Sequence, residues 1–405
     1  MNRVPKLRFK EFIDEWEEKK LGEVSDVRDG THDSPKYIDN GYPLVTSKNV
    51  QNGKIDLKNI NYISLEDFEM INKRSKVSKG DILMGMIGTI GNLAIVDRDD
   101  FAIKNVALIK EKNVLKNSVL YQILQSNIFY KKLSLLNEGG TQKFISLGNI
   151  RNLNFNIPCL EEQQKISVFL SNIDKKISIA EEKLELFNEY KKGIMQKIFN
   201  QELRFKDENG NDYPEWEEKK LGDLITSQGG KALEKYSNEN GKYKFISIGN
   251  YSENSKFFDN GRRIDLNPET QKQLLNKNEL AMILNDKTKT GNIIGRTLLI
   301  EEDDMYIYNQ RSQRIVCNKE FLPKFAYVLL NSSYRNNIIQ NAQGGTQIYI
   351  NFSTIENFII NLPCLEEQQK IADFLSAIDT KIEKISDELE NLKEFKKGLL
   401  QQMFV

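Results

Sequence analysis

The sequence predicts an α+β chain with a pseudo-two-fold internal repeat: two mixed α/β domains, joined and separated by two long helices that form an antiparallel coiled coil. Three observations carry this. Residues 158–199 (PCLEEQQKISVFLSNIDKKISIAEEKLELFNEYKKGIMQKIF) return as residues 363–404 without a gap, with 24 of 42 positions identical. Both copies carry apolar residues on alternating steps of four and three, the 3.5-residue period of a supercoiled pair. The stretches between them hold short apolar runs bounded by Gly, Asp or Asn, as strands are. Taken together they divide the chain into a first domain (1–157), a helix (158–201), a second domain (202–362) and a second helix (363–405).

In chain order, LRFK (7–10) and WEEKKLG (16–22) open the first half and return at 203–206 and 216–222. Residues 42–45, 82–86 and 93–96 read as strands, and apolar spacing predicts one helix over 119–136. A GGTQ motif at 139–142, repeated at 344–347, reads as a turn, with Gln142 and Gln347 left open as contacts. An extended stretch then leads to Pro158, since a residue before proline is biased to β. In the first helix the seam runs Ile166, Leu170, Ile173, Ile177, Ala180, Leu184, Phe187, Ile194, Ile198, with Lys191 in the one polar slot. The second half repeats the pattern: strands at 243–248 and 298–300, a helix over 321–339, and the seam Ile371, Leu375, Ile378, Ile382, Ile385, Leu389, Leu392, Leu399, Met403 with Lys396 in the polar slot. These lysines either fix the register or snorkel to water. At ~1.5 Å per residue each helix is a rod of roughly 58 Å.

The frames repeat closely, but the interiors do not: GDILMGMIGTIGNLAIV (80–96) has only a loose counterpart in NELAMILNDKTKTGNIIGRTLLI (278–300). Two alike frames holding two unlike inserts suit a ruler with two reading heads. DNA, whose symmetry presents equivalent grooves facing opposite ways, is the polymer such a ruler fits.

Composition narrows the chemistry. The charge balance is even, 58 basic against 58 acidic residues, so any cationic face must be local. Three cysteines without metal-ligand spacing suggest a reducing cytoplasm, and no apolar run suits a membrane. A single histidine, His32, leaves little room for His-based triads or His-rich metal sites, and there is no GxxxxGK[ST] loop or Asn-Pro-Pro-aromatic tetrapeptide. The glycines of GMIGTIG (85–91) are spaced for a strand–turn–strand and not for a dinucleotide cradle. The pairs Glu161–Glu162 and Glu366–Glu367 suit helix N-termini, and their recurrence suits a docking surface. No enzymatic function is expected.

The alternation of variable domain and repeated PCLEEQQKI-plus-coil segment resembles the specificity subunit of type I restriction–modification systems. The resemblance covers essentially the whole chain, including FISLGNI (144–150) leading to IPCLEEQQKI, and GTHDSPKY (30–37), GYPLVTSKNV (41–50) and KGDILMGMIGTIG (79–91) resemble a target-recognition domain of that family. KNELAMILNDKTKTG (277–291) departs from its counterpart, as a different half-site would require. The resemblance implies double-stranded DNA read as a bipartite, asymmetric site, with the coil setting the spacer. It also implies two methyltransferase subunits and motor-nuclease restriction subunits as partners, with S-adenosylmethionine, ATP and Mg on those partners and no cofactor here.

DNA readers need cations for phosphates and amide, Arg or Lys groups for base edges. The candidates are Thr31, His32, Ser34, Lys36, Tyr37, Ser47, Lys48, Thr89 and Lys104 in the first domain. In the second they are Lys231, Ser247, Asn250, Lys287, Thr288, Lys289, Asn309, Gln310, Arg311, Gln313 and Arg314, with NQRSQR (309–314) the richest run. For His32 the alternative is that it pins its own loop. A self-symmetric regulator that binds DNA alone, or a scaffold that holds proteins, would share the geometry.

Overall fold

The computed structural model describes residues 3–51, 53–136 and 144–405. The chain forms two compact units, the first of residues 1–182 and 386–405, the second of residues 183–385. Each unit therefore holds part of both long helices, Leu160–Phe199 and Leu365–Met403.

In the first unit a four-stranded antiparallel sheet has the order Ser25–Asp29, Val106–Glu111, Ile82–Gly85, Leu93–Ile95. Beside it lies a three-stranded sheet in which Tyr42–Thr46 pairs antiparallel with Asn61–Ile63 and parallel with Ala102–Lys104. Side chains alternate across the strands. Ile82, Met84, Ala107 and Ile109 join one core with Leu120, Phe129, Ile166 and Leu170, while Leu83, Ala94 and Leu108 join another with Val45, Phe101 and Ile103.

The second unit repeats this plan. Its four-stranded sheet runs Ile225–Gly229, Ser312–Cys317, Leu280–Ile283, Thr297–Leu299, and Tyr243–Ile246 lies parallel to Tyr306–Tyr308. The main four-stranded sheets are thus equivalent strand for strand. Gly80 (φ +88°) donates to the Val96 carbonyl as Asn278 (φ +68°) does to that of Ile300. The smaller sheets differ: that of the first unit has three strands and is accompanied by helix Leu65–Ser75, whereas that of the second has four, with Leu274–Leu275 paired to Tyr306–Tyr308.

The single helix expected over 119–136 is two, Asn117–Leu124 and Asn127–Leu136, and that over 321–339 is Pro323–Leu330 and Arg335–Gln340. The buried hydroxyls of Ser126 and Ser332 donate to the carbonyls of Ile123 and Leu329, and such local bonds compete with the helical ladder. GMIGTIG starts on the last residue of strand Ile82–Gly85 and is otherwise a tight loop, closed by the Gly85 amide on the Asn92 carbonyl. In the second GGTQ, Gly344 turns at φ +119° and Gln347 is exposed. The first GGTQ, with Gln142, lies outside the described residues.

The frame repeats because it is one buried polar network made twice. Arg8 grips the Glu162 carboxylate with Nε and Nη2, both at 2.8 Å, and the Trp16 indole donates to the same carboxylate at 3.1 Å. Arg204 and Trp216 hold Glu367 in the same way, at 2.9 Å for Arg204 Nη2 and for the indole. The next residue, Gln163, accepts from the Lys116 amide and donates to the carbonyls of Val114 and Pro158. Gln368 does the same to Leu322, Glu320 and Pro363. Glu162 and Glu367 are therefore internal latches, not the docking surface their recurrence suggested. Only the outer Glu161 and Glu366 are exposed.

Within each unit the long helices run antiparallel. In the first, Asp174 meets Lys396 at 2.6 Å and Glu181 meets Lys393 at 2.7 Å. In the second, Phe187 lies under Lys381 and Lys191 meets Asp379 at 2.5 Å. All seam positions are buried or half-buried. The two polar-slot lysines pair with Asp174 and Asp379, which are themselves equivalent in the repeat. Each is thus partnered across the helix pair and does not merely snorkel.

Candidate nucleic-acid interface

In each unit four connections converge at one end of the sheets. In the first these are residues 30–37, 47–49, 86–92 and Asn105, which follow strands ending at Asp29, Thr46, Gly85 and Lys104. The pairings Asp29↔Ala107, Gly85↔Val106 and Thr46↔Lys104 bring those strand ends side by side. In the second unit, residues 230–236, 248–250, 285–295 and 309–311 converge in the same way. The crossing is close. A Cβ on Gly30 would lie 2.3 Å from the Ile103 carbonyl oxygen, and one on Gly230 would lie 2.0 Å from that of Asn309.

The first-unit candidates form one cluster. His32 presents Nδ1 to the Asn105 Oδ1 at 2.8 Å and Nε2 to the Asp29 Oδ2 at 3.0 Å. Both ring nitrogens face acceptors. The Asn105 contact, then that to Asp29, raises the imidazole pKa above its ordinary value against burial and nearby Arg74, favouring the imidazolium. His32 does pin its loop, and its contacts favour the charged form of an exposed ring. Lys104 reaches Ser34 Oγ at 2.7 Å, Thr31 Oγ1 caps the Asp33 amide, and Thr89 Oγ1 donates to the Ser47 carbonyl. Lys36, Tyr37 and Lys48 are exposed.

In the second unit Lys231, Lys287, Thr288, Lys289, Gln310 and Arg311 are exposed. The loop that carries Lys287 and Lys289 is built on buried Asp286. Burial opposes its ionisation, but the amides of Ile293, Thr288 and Ile294 outweigh this and hold the carboxyl below its usual range.

Five candidates are buried inside the platform, and a sixth, Arg314, is turned back into it. Ser47 Oγ donates to the Asn105 carbonyl and accepts from the Met86 amide. Ser247 and Asn250 bond each other at 2.8 Å, Asn309 holds the Leu233 amide and Glu234, and Gln313 is buried against Gly229. Arg314 turns back onto Glu279. Buried polar atoms need partners, and Ser47, Ser247, Asn250 and Asn309 find them within the fold.

Several residues that matter to the platform escaped sequence reading: Asn105, Asp29, Asn49 and Arg74 in the first unit, Glu234 and Arg262 in the second. Asn49 and Asn250 are equivalents. Each accepts the amide and hydroxyl of the residue three before it, Thr46 or Ser247. TSKN and SIGN carry the only signal, a shared Ser/Thr-x-x-Asn spacing.

A sequence profile described as "Type I restriction modification DNA specificity domain" matches residues 13–188 and again 213–394. The chain is 26% identical to the type I restriction enzyme MjaVIII specificity subunit of Methanocaldococcus jannaschii, covering 96% of this chain and 91% of that one. It is 20% identical to the EcoKI specificity subunit of Escherichia coli K12, covering 91% and 83%. Among solved structures, the type I restriction–modification S subunit from M. genitalium superposes with a TM-score of 0.64 at 17% identity, covering 99% of both chains. A chain from a study of type I R-M complex assembly and conformational transition superposes with a TM-score of 0.55 at 15% identity, covering 95% of this chain and 96% of that one. With two copies of its defining domain spanning most of the sequence, each built on the same loop platform, the chain belongs to the type I restriction–modification DNA specificity family.

Proposed function

We propose that each unit reads one half of a bipartite, asymmetric DNA site and that the paired long helices set the spacer between the halves. The observation that carries this is one loop platform built twice on the same four-stranded sheet with unlike exposed side chains. Like scaffolds place the loops, and unlike loops read unlike bases. Exposed Lys36, Lys48, Lys231, Lys287 and Lys289 suit phosphates, and the amides, hydroxyls and Arg311 among them suit base edges.

The chain acts as a non-catalytic guide. It directs two adenine-methyltransferase subunits and, for restriction, motor-nuclease subunits, which carry S-adenosylmethionine, ATP and Mg. The setting is the cytoplasm; no helix among the described residues is long and apolar enough to cross a membrane.

Methylome sequencing of a methylation-free host that expresses the cognate methyltransferase subunit, with and without this chain, tests the proposal. A bipartite adenine-methylated motif is expected only with the chain. Its absence from a host that makes a soluble complex would overturn the proposal and leave a regulator or protein scaffold. Inserting one matched heptad into both long helices should lengthen the spacer by roughly 3 base pairs, from a ~10 Å extension and ~3.4 Å per pair. An unchanged spacer in a folded protein would exclude the helices as the ruler.

A further inference from the structure

We infer that Arg311 reads a guanine in the half-site of the second unit. This rests on the DNA-reading proposal above and adds a residue and a base to it.

The corner at 309–311 joins strand Tyr306–Tyr308 to strand Ser312–Cys317. Of the polar run Asn309–Arg314, five side chains are either buried or bonded within the fold. Asn309 and Gln310 both donate to Glu234 Oε1, at 2.7 and 3.0 Å. Ser312 is buried and accepts from the Tyr251 hydroxyl, Gln313 is buried, and Arg314 pairs with Glu279. Arg311 alone is exposed with no hydrogen bond or ion pair on its guanidinium among the described residues.

Its backbone makes that exposure informative. Arg311 sits at φ +71°, a left-handed conformation that is steric work for a long L side chain and free for glycine. The equivalent residue of the first unit, immediately before strand Val106–Glu111, is Asn105 at φ +54°. Asparagine tolerates this conformation, and there its side chain is taken by His32. An arginine at such a corner is held in spite of the backbone, and an outlier of this kind points to use of the side chain.

Position selects a base over a phosphate. The Gln310 amide donates to the Lys231 carbonyl on one side of the corner, and the Leu284 amide donates to the Arg311 carbonyl on the other. Arg311 therefore lies between the loop that bears Lys231 and the loop that bears Lys287 and Lys289. Flexible lysines on the flanks suit phosphates. A guanidinium on a fixed backbone between them presents the planar fork that matches guanine O6 and N7 in the major groove.

The test is selection from a random duplex library by the complex of this chain with its cognate methyltransferase subunit, using wild type, Arg311→Gly and Arg311→Lys. Glycine removes the fork and relieves the backbone, so its melting temperature should equal or exceed that of wild type. Lysine keeps the charge and loses the fork. With both variants, one G·C position in one half-site should relax by about ten- to a hundredfold while the other half is unchanged. Uniform weakening at all positions with Arg311→Gly, restored by Arg311→Lys, would mark a phosphate contact and overturn the inference. So would an unaltered motif, or a wild-type motif with no G·C pair in the affected half. A wild-type complex that selects no motif would remove the DNA-reading proposal itself, and this inference with it.

Discussion

The two loop platforms share the strand order of the main sheet, the crossing glycines and the Ser/Thr-x-x-Asn turn, yet carry different exposed side chains. The first gathers His32, Ser34, Lys36, Tyr37 and Lys48. The second gathers Lys231, Lys287, Thr288, Lys289, Gln310 and Arg311. The frames show the opposite balance, with Arg8, Trp16, Glu162 and Gln163 matched one for one by Arg204, Trp216, Glu367 and Gln368. A buried carboxylate network is stable only when complete, so no member can change alone. An exposed loop side chain has no such partners to satisfy. Conservation within this one chain therefore maps burial of polar groups, and divergence maps the surface left free to specify.

That comparison can be broken or sharpened. The largest effect is expected in the frames: Arg8→Ala and Arg204→Ala should each destabilise their own unit by about 3–5 kcal/mol, because a carboxylate stays buried with only an indole to hold it. Chemical denaturation followed by hydrogen exchange of strands Glu17–Lys20 and Glu217–Lys220 reads each unit. A large loss in one unit and none in the other would contradict the equivalence of the two latches.

Next come the crossings. Gly30→Ala and Gly230→Ala would drive a Cβ into a carbonyl oxygen and should cost about 1–3 kcal/mol each. Thermal melts of both variants check this, and wild-type stability in either would mean the loops cross less tightly than described.

The smallest effect is confined to the first unit. His32, the chain's one histidine, should titrate above its ordinary value, and Asn105→Ala, which removes the largest cause, should lower the midpoint in an imidazole NMR titration. Because the folded pKa is raised, the associated stabilisation is fully present below the unfolded value near 6.5 and is lost as pH rises through the folded pKa. The second platform has no histidine and should show no counterpart. A midpoint unmoved by Asn105→Ala would remove that asparagine from the charge of the site.

Much of the fold was legible because it is periodic or local. The heptad seams, the polar slots at Lys191 and Lys396, and the short strands around 82–86 and 93–96 follow from spacing alone. The helix breaks at Ser126 and Ser332 did not, since apolar periodicity continues through them while a hydroxyl diverts one carbonyl. The candidate loops were found by residue type, but type does not say which way a side chain points. Ser47, Ser247, Asn250, Asn309 and Gln313 have the chemistry of base readers and are turned inward. Asn105 and Glu234, which hold the platform, carried no motif.

The sequence by itself determined the two-fold repeat, the paired long helices and the contrast between constant frame and variable interior, because each is a pattern along one dimension. Only the tertiary structure decided that the two main four-stranded sheets share one strand order, that Glu162 and Glu367 face inward, and that Arg311 alone of its run is exposed without a partner among the described residues. These depend on which groups meet across 75 to 163 positions of chain, as Gln310 meets Glu234 at 76 and Arg204 meets Glu367 at 163. Burial and hydrogen-bond partners are settled by those meetings and by no local spacing.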